Sequence, residues 1–162
     1  MFPVEIKVLS ALRVAGVIHR GAYNRLGSSF EMLSGLVANQ SLEKYSEGLI
    51  AVCYDDPGVV AESELRAIAG IVVKEDTPAN LLEEDTILPG GDYAVMRVSG
   101  SYANLPRAYE ELLGVWLRQS GREKRKDAPS FERYLNTPMD TKVEDLQTDI
   151  YLPLECSVVR SM

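Results

Sequence analysis

The sequence holds only two cysteines, one histidine and one tryptophan in 162 residues. Cys53 and Cys156 stand far apart without metal-ligand spacing, so they read as reduced thiols of a cytoplasmic protein rather than a disulfide framework. Any Ser-His-Asp arrangement would have to use His19. That residue ends an apolar run beside Gly21, with no nucleophile elbow around it, and reads as structural or surface. Basic charge is scarce too: 17 Lys and Arg against 24 Asp and Glu give a net charge of -7. A free-standing DNA-binding domain needs a basic face to replace phosphate counterions, so direct nucleic-acid binding is not expected. No stretch approaches about 18 uninterrupted apolar residues, which argues against a membrane-spanning helix. The start, Met1-Phe2-Pro3-Val4-Glu5, has no basic region before an apolar run, so no secretory leader is expected. Gly90-Gly91 stands alone, without the glycine pattern of a phosphate loop. Glu83-Glu84-Asp85 reads as solvated linker, and no metal or cofactor is expected.

The chain does contain a self-match. Laid over the chain 79 positions further on, Leu12 falls on Gly91, Ala15 on Ala94, Gly21 on Gly100 and Tyr23 on Tyr102. The register continues without a gap through Leu26 on Leu105, Phe30 on Tyr109, Leu33 on Leu112 and Gly35 on Gly114. A second stretch repeats at 80 to 81: Tyr54 answers Tyr134, Pro57 answers Pro138 and Leu65 answers Leu146. The drift is expected to fall in the intervening loop, where insertions cost little.

Each half reads the same way in coarse structure. Val14 to Arg20 and Tyr93 to Ser99 are apolar, β-branched runs closed by Gly21 and Gly100. Each is followed by a helix: Leu105, Tyr109, Leu112 and Trp116 form one apolar stripe, and Leu26, Phe30, Leu33 and Val37 form the other. Pro106 suits a first helical turn and Gly121 a C-terminal stop. Further strands are expected over Gly48 to Tyr54, Leu65 to Lys74, Ser130 to Asn136 and Asp149 to Leu154. The fold class is therefore α+β: a tandem β-α-β-β duplication with pseudo-two-fold symmetry, an antiparallel sheet, two long helices and a central cleft. One domain is expected, with module one at about 4–76, an acidic linker at about 77–89 and module two at about 90–155. The basic run from Arg118 to Lys126 reads as a solvated loop after the helix.

Function should lie where the halves differ, and ligand sites favour such junctions. With Tyr54 set on Tyr134, Val52 falls on Glu132, an apolar residue against a carboxylate. A buried carboxylate needs a cation, a hydrogen-bond network or a proton. Aromatic faces from Tyr134, Tyr109, Trp116 and Tyr151 can add cation–π attraction. The bland alternative pairs Glu132 with a neighbouring arginine or turns it to water on an edge strand, and the helical-stripe residues Tyr109 and Trp116 equally suit a core.

Several segments together resemble the GyrI-like family, which includes DNA gyrase inhibitors and the effector-binding domains of AraC-type and MerR-type multidrug regulators. They are Val14-Ala15-Gly16, His19 to Tyr23, Tyr54-Asp55-Asp56-Pro57, Gly91 to Val95, Phe131 to Asn136 and Thr148 to Leu154. The resemblance implies paired modules of the SHS2 type around a pocket. It implies that Glu132 sits at the pocket floor and meets lipophilic cations or planar aromatic compounds, with Tyr134, Tyr151, Tyr109 and Trp116 around it. It leaves two other roles open: a hydrolase of cyclopropane-bearing DNA-alkylating compounds using Glu132, or an inhibitor contacting DNA gyrase. The regulators carry a helix-turn-helix domain for which 162 residues leave no room, so a free-standing cytoplasmic ligand-binding module is expected.

Overall fold

The computed structural model describes residues 2–156. Eight strands form one antiparallel sheet: β1 Val4–Leu9, β2 Leu12–Arg20, β3 Ser46–Cys53, β4 Arg66–Val73, β5 Glu84–Leu88, β6 Gly91–Ser99, β7 Ser130–Tyr134 and β8 Gln147–Pro153. Two helices cover one face. The first is α1, Leu26–Asn39. The second begins as α2, Leu105–Glu111, passes through a π-helical turn at Leu112–Trp116 and ends as α3, Leu117–Ser120. Pro106 lies in its first turn, and Gly121 closes it at a left-handed φ of 71°. No helix of the described residues is long and apolar enough to cross a membrane.

The spatial order is β1-β6-β8-β7-β3-β4-β2-β5. Exchanging β1 with β5, β2 with β6, β3 with β7 and β4 with β8 reverses that order and leaves it unchanged. The pseudo-two-fold axis therefore passes between β3 and β7.

Both sheet edges depart from the reading above. The acidic segment Thr77 to Pro89 is not wholly linker, since Glu84–Leu88 forms β5 along β2. Likewise β1 precedes β2 in the chain but pairs with β6. Each half thus has a fifth element, lent to the other half's sheet. The crossover into β5 is held by Arg13. Its guanidinium donates to both Asp85 oxygens, at 3.0 and 2.6 Å, and to the carbonyls of Glu75, Thr77 and Pro78. Glu83 accepts the Ile18 N–H at 2.7 Å. These partners recruit an acidic run that hydropathy alone assigns to solvent.

Strand side chains alternate between faces, so the sheet builds two layers of core. On the helix face, Leu33 packs over Ala51, Ala67, Ala69 and Ile71, and Leu112 over Met96, Ile150 and Leu152. On the other face, Val14, Ile68 and Val72 join Tyr93, Val95 and Phe131 in one cluster. The cluster runs on through Ile50 and Val52, and these side chains are buried although both helices pack on the other face, as a sheet curled over them allows. Gly70 helps the curl: a β-carbon there would lie 2.7 Å from the Ala15 carbonyl oxygen.

Candidate functional site

The strand pairing fixes which residues correspond. Val17 and Met96 answer each other at 79 positions and pair with Ala69 and Ile150 respectively. Ala69 in turn pairs with Ala51, and Ile150 with Glu132. The counterpart of Glu132 is therefore Ala51, at an offset of 81, and not Val52. The capping of the next turn agrees: the Asp55 side chain accepts the Arg66 N–H at 2.8 Å, and the Asn136 side chain accepts the Gln147 N–H at 2.8 Å. Tyr54 accordingly does not answer Tyr134; Cys53 does. A one-residue slip exchanges faces, and Val52 indeed points to the opposite face, paired with Phe131.

Part of the drift also lies inside the second helix rather than in a loop. A π-turn adds one residue to a helix, and beyond it the burial of α1 and of the second helix runs in step at an offset of 80. Leu36 then answers Trp116 and Val37 answers Leu117.

Ala51 and Glu132 are direct partners across β3 and β7 as well as counterparts. The pseudo-two-fold axis passes between them, so Glu132 stands at the centre of the sheet, on the face that carries the helices. It is 7% exposed. One carboxylate oxygen accepts from the Tyr109 hydroxyl at 2.7 Å and the other from the Tyr134 hydroxyl at 2.8 Å. Among the described residues no cation forms a salt bridge with it. The neighbouring Arg133 donates instead to the Glu47 carbonyl at 3.1 Å. Among the described residues neither bland reading holds: the acid is 7% exposed and no arginine bonds it.

Burial pushes the Glu132 carboxyl above its ordinary value, and the two phenol hydrogen bonds oppose that rise without cancelling it. The phenols of Tyr109 and Tyr134 are pushed well up, first by burial and then by the adjacent carboxylate. The Cys53 thiol is raised for the same two reasons. Tyr134 meets two further rings edge-on: Phe30 at 5.5 Å and Tyr102 at 5.6 Å between centroids. Chemically, this is a lone carboxylate in an aromatic shell, able to hold a proton or a cation.

Of the residues expected around Glu132, the structure brings Tyr109 and Tyr134 to it. Tyr151 lies elsewhere. It pairs with Phe131, whose side chain alternates to the far face, and stacks on that ring at 4.6 Å and 11°. Adjacent strands are not enough; the residue must also share the face. Trp116 packs on the core beneath the second helix with Met96, Leu152 and Leu154. Phe30 and Tyr102 were not singled out for the site. The duplication carried the signal, since Phe30 answers Tyr109 near the axis.

The other candidates have structural partners. His19 is buried, with Nε2 2.9 Å from the Ala22 carbonyl oxygen and Nδ1 2.8 Å from Ser29 Oγ, bracing the strand end against α1. The basic loop is partly anchored: Arg122 donates to Asp92 at 2.7 Å and Arg125 to the Gly90 carbonyl at 3.1 Å. No cluster of three or more metal-ligating side chains is present among the described residues.

The sequence profile of the GyrI-like small molecule binding domain matches residues 2–155. The chain is 33% identical over 104 residues to YgiV of Escherichia coli (strain K12), described as a transcriptional regulator, and the match spans 64% of each chain. It is 28% identical over 159 residues to the DNA gyrase inhibitor of Salmonella typhimurium, spanning 93% of this chain and 97% of that one. Among solved structures, SAV2435 bound to tetraphenylphosphonium superposes with a TM-score of 0.69 at 16% identity, covering 94% of both chains. At that identity the likeness shows the fold.

Proposed function

We propose that this chain, which belongs to the GyrI-like family of small-molecule-binding domains, captures lipophilic cations or planar aromatic compounds with Glu132 as the counter-charge. The observation that carries this reading is the buried carboxylate on the axis, bonded by two phenols and, among the described residues, without a cation of its own. A carboxylate held above its ordinary pKa by desolvation is an incomplete ion pair. A ligand cation about 4 Å away would contribute roughly 4 kcal/mol at an effective dielectric near 20. Each aromatic face that meets the charge adds about 0.5–2 kcal/mol. Tyr109 and Tyr134 hold the acid in place until the charge of a bound cation displaces one of their hydroxyls from it. The tetraphenylphosphonium complex of SAV2435, a fold neighbour, supports the choice of ligand class.

Isothermal titration with tetraphenylphosphonium tests the reading. Saturable binding is expected, and Glu132→Gln should weaken it by about tenfold or more, one decade corresponding to about 1.4 kcal/mol. Equal affinity in wild type and variant would remove Glu132 from the site.

A further inference from the structure

Resting on that reading, we infer that the lipophilic body of the ligand occupies an open groove along α1, next to Tyr134, so that one half of the duplication supplies the charge and the other the space. The groove, of about 410 Å³, lies between α1 and the sheet, with Leu33, Leu49 and Ile71 toward the sheet, Val37 and Ala38 on the helix, and Ser34, Ser46 and Glu43 at its mouth. Its volume falls within the roughly 300–1,000 Å³ of small-molecule pockets. Leu49 pairs directly with Tyr134 across β3 and β7, and both share the helix face with Glu132. Tyr134 therefore stands beside the groove wall while its hydroxyl holds the carboxylate. If Tyr134 rotates away from Glu132, charge and groove become neighbours.

The second half shows why the space beneath α1 is open. There the helix brings Leu112, Leu113, Trp116 and Leu117 down onto Ile150, Leu152 and Leu154. Beneath α1 the corresponding groups are Leu33, Leu36 and Val37 over Ala67, Ala69 and Ile71. The π-turn adds a residue to the second helix, Trp116 answers Leu36, Leu117 answers Val37, and Ile150 answers Ala69. Each of these differences puts bulk in the second half, and at the groove itself Val37 stands where the second half has the larger Leu117. The occupant is an apolar body bearing positive charge: the lining is mainly aliphatic, Glu132 lies one strand step beyond Tyr134, and Glu43 adds a second acid to the lining.

The test compares tetraphenylphosphonium binding to the wild-type chain, Glu132→Gln and the groove-filling Val37→Phe. Weakening of about tenfold or more in both variants is expected. A nuclear Overhauser experiment on the wild-type protein needs no substitution: phenyl protons of the bound cation should contact the methyl groups of Leu33, Val37 and Leu49. Binding lost with Glu132→Gln, but unchanged by Val37→Phe and without those contacts, overturns the groove assignment and leaves the counter-charge intact. Binding weakened by Val37→Phe alone keeps the groove and overturns the counter-charge. Absence of saturable binding to the wild-type chain overturns both.

Discussion

Replacing Glu132 by glutamine should make the protein more stable while disabling its site. Taking a carboxylate out of water costs several kcal/mol. The Tyr109 and Tyr134 hydroxyls return part of this, at about 1.5–3 kcal/mol for each hydrogen bond to a charged group. The carboxyl is nonetheless raised above its ordinary value of 4.5, so desolvation wins. The ionised form therefore carries a net burden that a neutral side chain in its place would not. Glutamine is nearly isosteric and can still bond both phenols, so it removes the burden and keeps the packing. For a chain of 162 residues each kcal/mol of that gain corresponds to a rise in Tm of roughly 2–4 °C at pH 8. The pH dependence has a definite sign. Above the unfolded pKa the native state holds its proton more tightly than the unfolded chain does, so wild-type stability falls as pH rises through the native pKa. Below the unfolded pKa both states are protonated and the wild-type carboxylic acid resembles the amide. Thermal melts of both proteins from pH 4 to pH 8 should therefore converge at the acid end and diverge toward the alkaline end. A gap independent of pH, or a less stable variant at pH 8, would refute the reasoning.

Two further perturbations follow from the geometry. Ala51→Glu would set a second carboxylate directly across from Glu132, with β-carbons about 5 Å apart. At an effective dielectric near 20 the repulsion is about 3 kcal/mol. Urea unfolding at pH 8 should show that penalty relative to Ala51→Gln, which adds the same bulk without charge; the difference should vanish near pH 4. Arg13→Ala removes the side chain that gathers Asp85 and three carbonyls of the crossover. Limited trypsin digestion should then cleave after the exposed Lys74 severalfold faster, and an unchanged rate would show that β5 stays in place without the arginine.

The elements that hydropathy marks strongly were legible in the sequence. The apolar runs of β2, β4 and β6 and the helical stripes all appear where they were expected, because tertiary packing and local pattern agree there. The edges were not legible. Val4–Leu9 and Glu84–Leu88 are short, and each pairs with a strand of the other half, an arrangement that no local window contains. Register failed for a related reason. Aligning Tyr54 on Tyr134 used residue identity, whereas the true correspondence is set by strand pairing and by the Asp55 and Asn136 caps. The error was a single residue, enough to set Val52, which lies on the opposite face, against Glu132; Tyr151 fails separately, because its place on a neighbouring strand does not fix its face. Glu132 itself could be found, because its counterpart is apolar under either alignment, Val52 or Ala51. Tyr109 is marked by its aromatic face before the resemblance adds to it, while its counterpart Phe30 reads only as part of an apolar helical stripe.

An axis of duplication is a special place for a charge. Away from the axis a residue and its counterpart lie far apart, so both copies can keep the same side chain. At Ala51 and Glu132 the two copies touch. Glutamates at both positions would repel or share a proton, and alanines at both would leave an apolar floor with nothing to attract a cation. A single negative charge at the centre of the sheet therefore requires the halves to diverge at this position. Once they have diverged there, a body attached to the bound charge must also choose a side. The second helix is packed tight by Leu113, Trp116 and Leu117, and the first stands over alanines and a groove. The acid from one half and the hollow in the other are, on this argument, two parts of one asymmetry, and altering either should change what the other can hold.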